Sequence, residues 1–197
     1  LPAVFTCMKQ AKFPTLILST ALLAGCYWPI ESGSGRETPL HFGVYVTPDP
    51  ATNPIDPPER FTGFHTGTDF EISKSEADAQ IDVYAVCSGK VRFGGFAEGY
   101  GGVVDQDCTL KGEPVTLIYG HLTIEGLPAA GTMLTQGQKI GTLGAAKSHD
   151  TDGNRKHLHF TIHKGSTSSM LGYVQTEEEL KDFIDPQTVL PWPKENQ

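Results

Sequence analysis

The sequence contains no C-x-x-C pair, and its four cysteines, Cys7, Cys26, Cys87 and Cys108, stand far apart. That argues against a zinc-thiolate site, whose ligands come in closely spaced pairs. An H-E-x-x-H stretch is also missing, so the helical ligand pair of many metallopeptidases is excluded. A helix that spans a bilayer needs about 20 apolar residues, and the run from Phe13 to Ala24 falls short of that. Positive charge is scarce: 15 Lys and Arg against 23 Asp and Glu give a formal charge of −8. Such an acidic chain is a poor partner for nucleic acid. Internal repeats and heptad runs are lacking, and 197 residues suit one domain able to bury its own core.

What the sequence does contain is histidine in short motifs. His65-Thr66-Gly67-Thr68-Asp69 comes first, His157-Leu158-His159 comes much later, and His121 lies between them in Tyr119-Gly120-His121-Leu122. These residues offer the ligands of a mononuclear zinc site, which in hydrolases takes three protein N or O atoms and keeps a position for water. In a strand, residues two or four apart share a face, so His65 with Asp69, and His157 with His159, can each converge. A helical pairing of His65 with Asp69 also satisfies the spacing. Gly67 and the β-branched Thr66 and Thr68 argue against it, and the apolar residues around His157 alternate as in a strand.

The rest of the chain predicts a mainly β protein. A short strand is expected at 42–46, followed by a proline-rich loop through Pro57 and Pro58. Further strands are expected at 69–72, 81–86, 89–93, 102–105, 114–119, 138–143 and 157–163, bounded by glycines as in an antiparallel sheet. One helix is expected near the C-terminus, where Thr176-Glu177-Glu178-Glu179 forms a capping-box pattern ahead of Leu180, Phe183 and Ile184, with Asp185-Pro186 closing it.

Taken in order, several motifs resemble the lysostaphin-type (LytM-like) zinc metallopeptidases, which cut the stem or cross-bridge peptides of bacterial peptidoglycan. The motifs are His65-x-Gly67-x-Asp69, Gly99-Tyr100-Gly101-Gly102, Tyr119-Gly120-His121-Leu122, Gln136-Gly137-Gln138-Lys139-Ile140-Gly141 and His157-Leu158-His159-Phe160, spread over roughly residues 62 to 163. The resemblance implies a lysostaphin-like antiparallel sheet domain of the duplicated-hybrid-motif type and one Zn2+ per chain. It implies His65, Asp69 and His159 as metal ligands, and His121 and His157 as catalytic residues. The alternative within the same fold is a non-catalytic wall-binding or hydrolase-activating protein, whose members typically lack the metal ligands.

The chain departs from the resemblance between Gly144 and His157, where residues 145–156 form a longer and highly charged loop. It is expected at the cleft rim, either contacting substrate or simply solvated. Gly99, Gly101 and Gly102 fit either a close backbone approach beside a groove or a plain hairpin turn. Phe64, Tyr100 and Tyr119 fit groove or core, and His41 and His163 read as structural or solvated.

The N-terminus carries an address. Lys9 and Lys12 precede the short apolar run, as in a signal peptide, and the run ends in Leu23-Ala24-Gly25-Cys26, which resembles the lipobox of bacterial lipoproteins. That resemblance implies a signal peptide over 1–25, with 1–7 an upstream extension before Met8, and lipidation at Cys26. Residues 26–40 then form a flexible tether and 41–193 the metallopeptidase domain, lipid-anchored in the cell envelope. Where two membranes are present, the expected place is the outer one, facing the periplasm. In that oxidising setting Cys87 and Cys108 are the candidates for a disulfide, with two buried thiols as the other reading.

Overall fold

The computed structural model describes residues 27–192; the expected signal segment and Cys26 lie outside the described residues. The strands are β1 (Tyr45–Val46), β2 (Gly63–His65), β3 (Gly67–Glu71), β4 (Asp82–Tyr84), β5 (Gly89–Ala97), β6 (Gly101–Leu110), β7 (Glu113–Leu122), β8 (Met133–Leu134), β9 (Lys139–Thr142), β10 (His157–Lys164), β11 (Tyr173–Val174) and β12 (Phe183–Ile184). A single helical turn, α1 (Glu177–Leu180), precedes β12. Its capping box is formed: Glu179 N–H donates to Thr176 Oγ1 at 3.2 Å and Thr176 N–H to Glu179 Oε2 at 2.9 Å. The helix stops short of the expected length because Phe183 and Ile184 pair with His163 and Ile162 of β10 instead.

The main sheet is antiparallel and runs β12-β10-β7-β6-β5-β8, with β3 also pairing β10. Alternation along β10 sends Leu158, Phe160 and Ile162 to one face, where they join Phe70, Leu117 and Tyr119 in a single buried core. Val83 of β4 and Ile140 of β9, which belong to a separate two-stranded sheet, close that core from the other side. Burying one such Leu, Ile or Phe side chain stabilises the fold by about 1.5–3 kcal/mol. The opposite face of β10 carries His157, His159 and Thr161. The sheet therefore separates a hydrophobic side from a polar one.

Residues 27–40 correct an expectation. They are laid against the domain rather than held away from it as a tether: Ile30 bridges to Val83, Leu40 is fully buried, and Tyr27 bridges to Trp192. Leu40 O accepts from Asp69 N–H at 2.9 Å and Glu37 O from Glu71 N–H at 3.0 Å, so the segment satisfies backbone groups of β3 away from β10. The apolar residues among the glycines and serines supply the reason, since Tyr27, Trp28 and Ile30 all join the core.

Cys87 and Cys108 are joined by a disulfide across 6.1 Å between Cα atoms. Beside it runs a buried chain of hydrogen bonds. Val86 N–H donates to Tyr119 Oη and Tyr119 O–H to Gln106 Oε1, both at 3.1 Å, and Gln106 Nε2 donates to Cys87 O at 2.9 Å. Tyr119 is thus a core residue. Tyr119→Phe leaves a buried N–H and a buried amide oxygen unpaired, and should lower the unfolding free energy in urea by about 1–3 kcal/mol. A change near zero would show that the chain of bonds contributes nothing net.

Candidate metal centre and cleft

The polar face of the sheet gathers the histidine motifs through strand register. In the β3–β10 pairing, His159 stands opposite Asp69 and His157 opposite Glu71. His65 arrives differently from the sequence expectation. It does not share a strand with Asp69: the chain breaks at Thr66, and β2 belongs to a second, three-stranded sheet with β1 and β11. The break still brings His65 Nε2 to 3.3 Å from Asp69 Oδ1 and 3.0 Å from His159 Nδ1. His159 Nδ1 lies 3.0 Å from Asp69 Oδ1, and all three residues are buried.

The outer nitrogens of the two rings explain why the inner atoms face one another. His65 Nδ1 lies 3.3 Å from the carbonyl oxygen of His41, and His159 Nε2 lies 2.7 Å from Thr161 Oγ1. With a proton on each outer nitrogen, both inner nitrogens present lone pairs, as does Asp69 Oδ1. Three acceptors in van der Waals contact without protons between them repel one another unless a cation sits among them. Ligand atoms about 2.0–2.1 Å from a tetrahedral zinc stand roughly 3.3 Å apart. The donor set therefore fits such an ion. A second set of potential ligands overlaps the first, namely Glu59, Asp69 and His157.

His121 reaches the site through a β-bulge. Gly102 pairs with Leu122 and Val103 with Gly120, which leaves His121 as the extra residue of β7. Its φ is 65°, a left-handed conformation that a non-glycine residue seldom adopts. In a regular strand, residue 121 would face the core side together with Leu158. The bulge instead turns its ring to 4.3 Å from that of His157, centroid to centroid. His121 Nδ1 is buried without a hydrogen-bond partner among the described residues. His157 Nδ1 lies 3.0 Å from Arg155 O, and its Nε2 lies 3.1 Å from Asp69 Oδ2.

The loop 145–156 is exposed at Ala145, Ala146, Lys147, His149 and Gly153 but packed at Thr151, Asn154 and Lys156, and the half-buried Arg155 was missed by reasoning from the sequence. Its Nη2 donates to Asp69 Oδ2 at 2.7 Å and to Glu71 Oε1 at 2.6 Å, its Nε grips Glu71 at 2.9 and 3.2 Å, and its Nη1 pairs with Glu59. The signal was present as Arg155-x-His157-x-His159, the alternation of β10 continued one step back. Lys156 points elsewhere and donates to the carbonyls of Ala77 and Ala79 at 3.1 and 2.5 Å. The hairpin turn at Gly99 is held by the same loop, as Asp152 Oδ2 accepts from Gly99 N–H at 2.9 Å. Gly101 is required there, because a Cβ would stand 2.1 Å from Asp150 O.

His121, His157 and His159 form the floor of an open cleft of about 280 Å3. Phe61 and Tyr173, stacked with centroids 5.4 Å apart, stand on one side, and Tyr100 and Glu98 on another. Of the three aromatics left open by the sequence, Tyr100 lines the cleft, Tyr119 is core, and Phe64 packs on Tyr45. Outside the cleft, His149 stacks on Phe96.

Residues 63–170 match the sequence profile of Peptidase family M23, more than half of the 197 residues. Among solved structures, that of LytU aligns with 78% of this chain and 83% of its own at 23% identity, with a TM-score of 0.50. The cbpa protein from L. salivarius REN aligns with 83% of this chain and 93% of its own at 20% identity, with a TM-score of 0.51. Lysostaphin from Staphylococcus simulans aligns with 79% of this chain and 49% of its own at 21% identity, with a TM-score of 0.49. At these identities the likeness to LytU and to the cbpa protein is one of fold. A comparison with curated proteins gives no match.

Burial dominates the protonation of this face. It lowers His159 to about 4 against the opposing pull of Asp69, and with the help of His157 it holds His121 well below 6.5. Burial alone would raise Asp69, but His157, His65 and Arg155 outweigh it and keep the carboxyl ionised. Each group therefore binds protons less readily folded than unfolded. Above pH 6.5 the histidines cost nothing; as pH falls from 6.5 towards 4 the unfolded chain gains protons that the folded one refuses. The metal-free protein should lose on the order of 3 kcal/mol across that window from His159 alone, measured by urea unfolding at stepped pH. A flat profile would contradict the buried, neutral imidazoles.

Proposed function

The chain belongs to Peptidase family M23, and from that premise we propose that it is a zinc metalloendopeptidase hydrolysing peptide bonds of bacterial peptidoglycan. The observation that carries the reading is the convergence of His65 Nε2, Asp69 Oδ1 and His159 Nδ1 within 3.0–3.3 Å, with Asp69 and His159 lining an open cleft beside His121 and His157, and His65 buried behind them. His65, Asp69 and His159 hold the ion. Zinc held there supplies Lewis acidity to an attacking water and to the scissile carbonyl. Peptidoglycan as substrate follows the resemblance of the five motifs to the lysostaphin-type enzymes.

The chain's own residues do the rest. His121, neutral through burial and with Nδ1 lacking a hydrogen-bond partner among the described residues, is able to take or donate a proton next to the reacting atoms. His157 is oriented through Nδ1 by the Arg155 carbonyl, which leaves its Nε2 beside Asp69 Oδ2 at 3.1 Å. Between them the two rings serve proton transfer to the departing amine and stabilisation of the oxyanion. Tyr100 keeps its hydroxyl proton, because burial and Asp69 both raise its pKa, and it adds a neutral donor to the wall. The stacked Phe61 and Tyr173 give the cleft an apolar side against which a peptide can lie.

Purified protein should carry one zinc and release shortened muropeptides, identified by mass, from intact peptidoglycan. His121→Ala and His157→Ala should keep the zinc and lose about 10²–10⁴-fold in kcat, whereas Asp69→Ala should lose the zinc itself. Zinc-loaded protein that binds peptidoglycan without cleaving it would favour the non-catalytic member of the fold.

The proposed address is a lipid on Cys26. The Cys87–Cys108 disulfide supports export, since such bonds persist in oxidising compartments. Cys26→Ser should move the protein from the membrane fraction to the soluble fraction of an expressing bacterium, and retention in the membrane would rule out that anchor.

A further inference from the structure

Asp69 is claimed from both sides. Its Oδ1 faces His65 and His159, while its Oδ2 faces His157 Nε2 at 3.1 Å and Arg155 Nη2 at 2.7 Å. Two trios of potential ligands thus share one carboxylate. The first has two imidazoles and one carboxylate. The second, Glu59, Asp69 and His157, has two carboxylates and one imidazole, and all its members are buried. On charge alone the second is the stronger attractor for a divalent cation, and it is richer in oxygen, which favours higher coordination numbers.

One side chain stands between these outcomes. The Arg155 guanidinium engages Asp69 and Glu71 through Nη2 and Glu59 through Nη1, with Nε completing the grip on Glu71. Its fork is matched to carboxylates in a way a lysine ammonium is not. Glu59 comes from the proline-rich segment and is 6% exposed, so removing its partner would leave a buried carboxylate beside Asp69.

The geometry points to Arg155 as the positioning residue of the metal centre: by occupying Asp69 Oδ2 and Glu59 together, it makes Asp69 a one-oxygen ligand of the His65–His159 side and closes the Glu59–Asp69–His157 trio to a cation. The assignment rests on the metal reading of the preceding subsection. It gives the charged loop 145–156 a task beyond packing, because a low coordination number is what leaves a position for water. His157 then remains available for the reaction instead of being drawn into coordination.

Cobalt(II) in place of zinc tests this without reference to activity, through its visible absorption, which is intense when four-coordinate and weak when six-coordinate, and through titration of bound ion by calorimetry. The wild-type chain should bind one Co2+ with an intense band. Arg155→Lys, which keeps the charge and loses the fork, should bind about 10- to 100-fold more weakly, as loss of a ligand's orienting partner does, with a weaker band. Arg155→Gln should show a weak band or a second bound ion, and adding Glu59→Gln should restore one ion and strengthen the band. A merely structural role would lower the melting temperature and leave stoichiometry, affinity and spectrum alone. Wild-type values in Arg155→Lys would overturn the assignment, including the case in which Arg155→Gln fails to fold. Absence of Co2+ binding by the wild type would defeat the metal reading itself, and this assignment with it.

Discussion

The register of β10 between β7 and β3 is the constraint on which the molecule turns. With Phe160 opposite Tyr119 and Thr68, and His159 opposite Gly120 and Asp69, the strand commits Leu158, Phe160 and Ile162 to the core and His157, His159 and Thr161 to the polar face. A slip of one residue would bury the histidines among apolar side chains and expose three large hydrophobes, so the core itself enforces the geometry of the polar face. Hydrophobic burial and site assembly are one event here. The small β4–β9 sheet and the 27–40 segment contribute indirectly, by completing the core against which β10 is held.

Collecting acidic and basic groups on a buried face has an electrostatic cost, which this chain offsets with a few well-placed partners. Asp69 and Glu59 are both buried, and one guanidinium meets them. Desolvation on its own would lower the Arg155 pKa, but Asp69, Glu71 and Glu59 outweigh it and hold the side chain charged. The imidazoles reach the same end by the opposite route. Burial keeps His121 and His159 neutral, which suits both metal binding and proton transfer. The site is thus ready for a cation without needing a mobile charge to create it.

Segments far apart in the chain build the cleft walls, and each is pinned by polar or aromatic contacts. Arg60 pairs with Asp152 at 2.5 Å, Phe61 stacks on Tyr173, and Gln175 Nε2 donates to Thr62 O at 2.9 Å. The proline-rich stretch before β2 is therefore held as a wall through its last few residues. Its composition predicts irregular backbone; its partners give that backbone a fixed place.

By itself the sequence determined the mainly β class, most of the longer strands and the capping box at Thr176, which follow from local alternation and turn chemistry over a few residues. It also offered His65, Asp69, His121, His157 and His159 as a candidate site through short motifs and their family resemblance, and the structure brings those five side chains together. Only the tertiary structure decided how His121 reaches the others, since its aim depends on a bulge created by pairing with β6. The structure alone also placed 27–40 on the domain, split His65 and Asp69 between two sheets, and made Arg155 a partner of Asp69 across 86 positions of sequence. A local pattern says which face a side chain takes; which side chain waits there depends on strand pairing between distant segments, and that is set by the burial of the whole core.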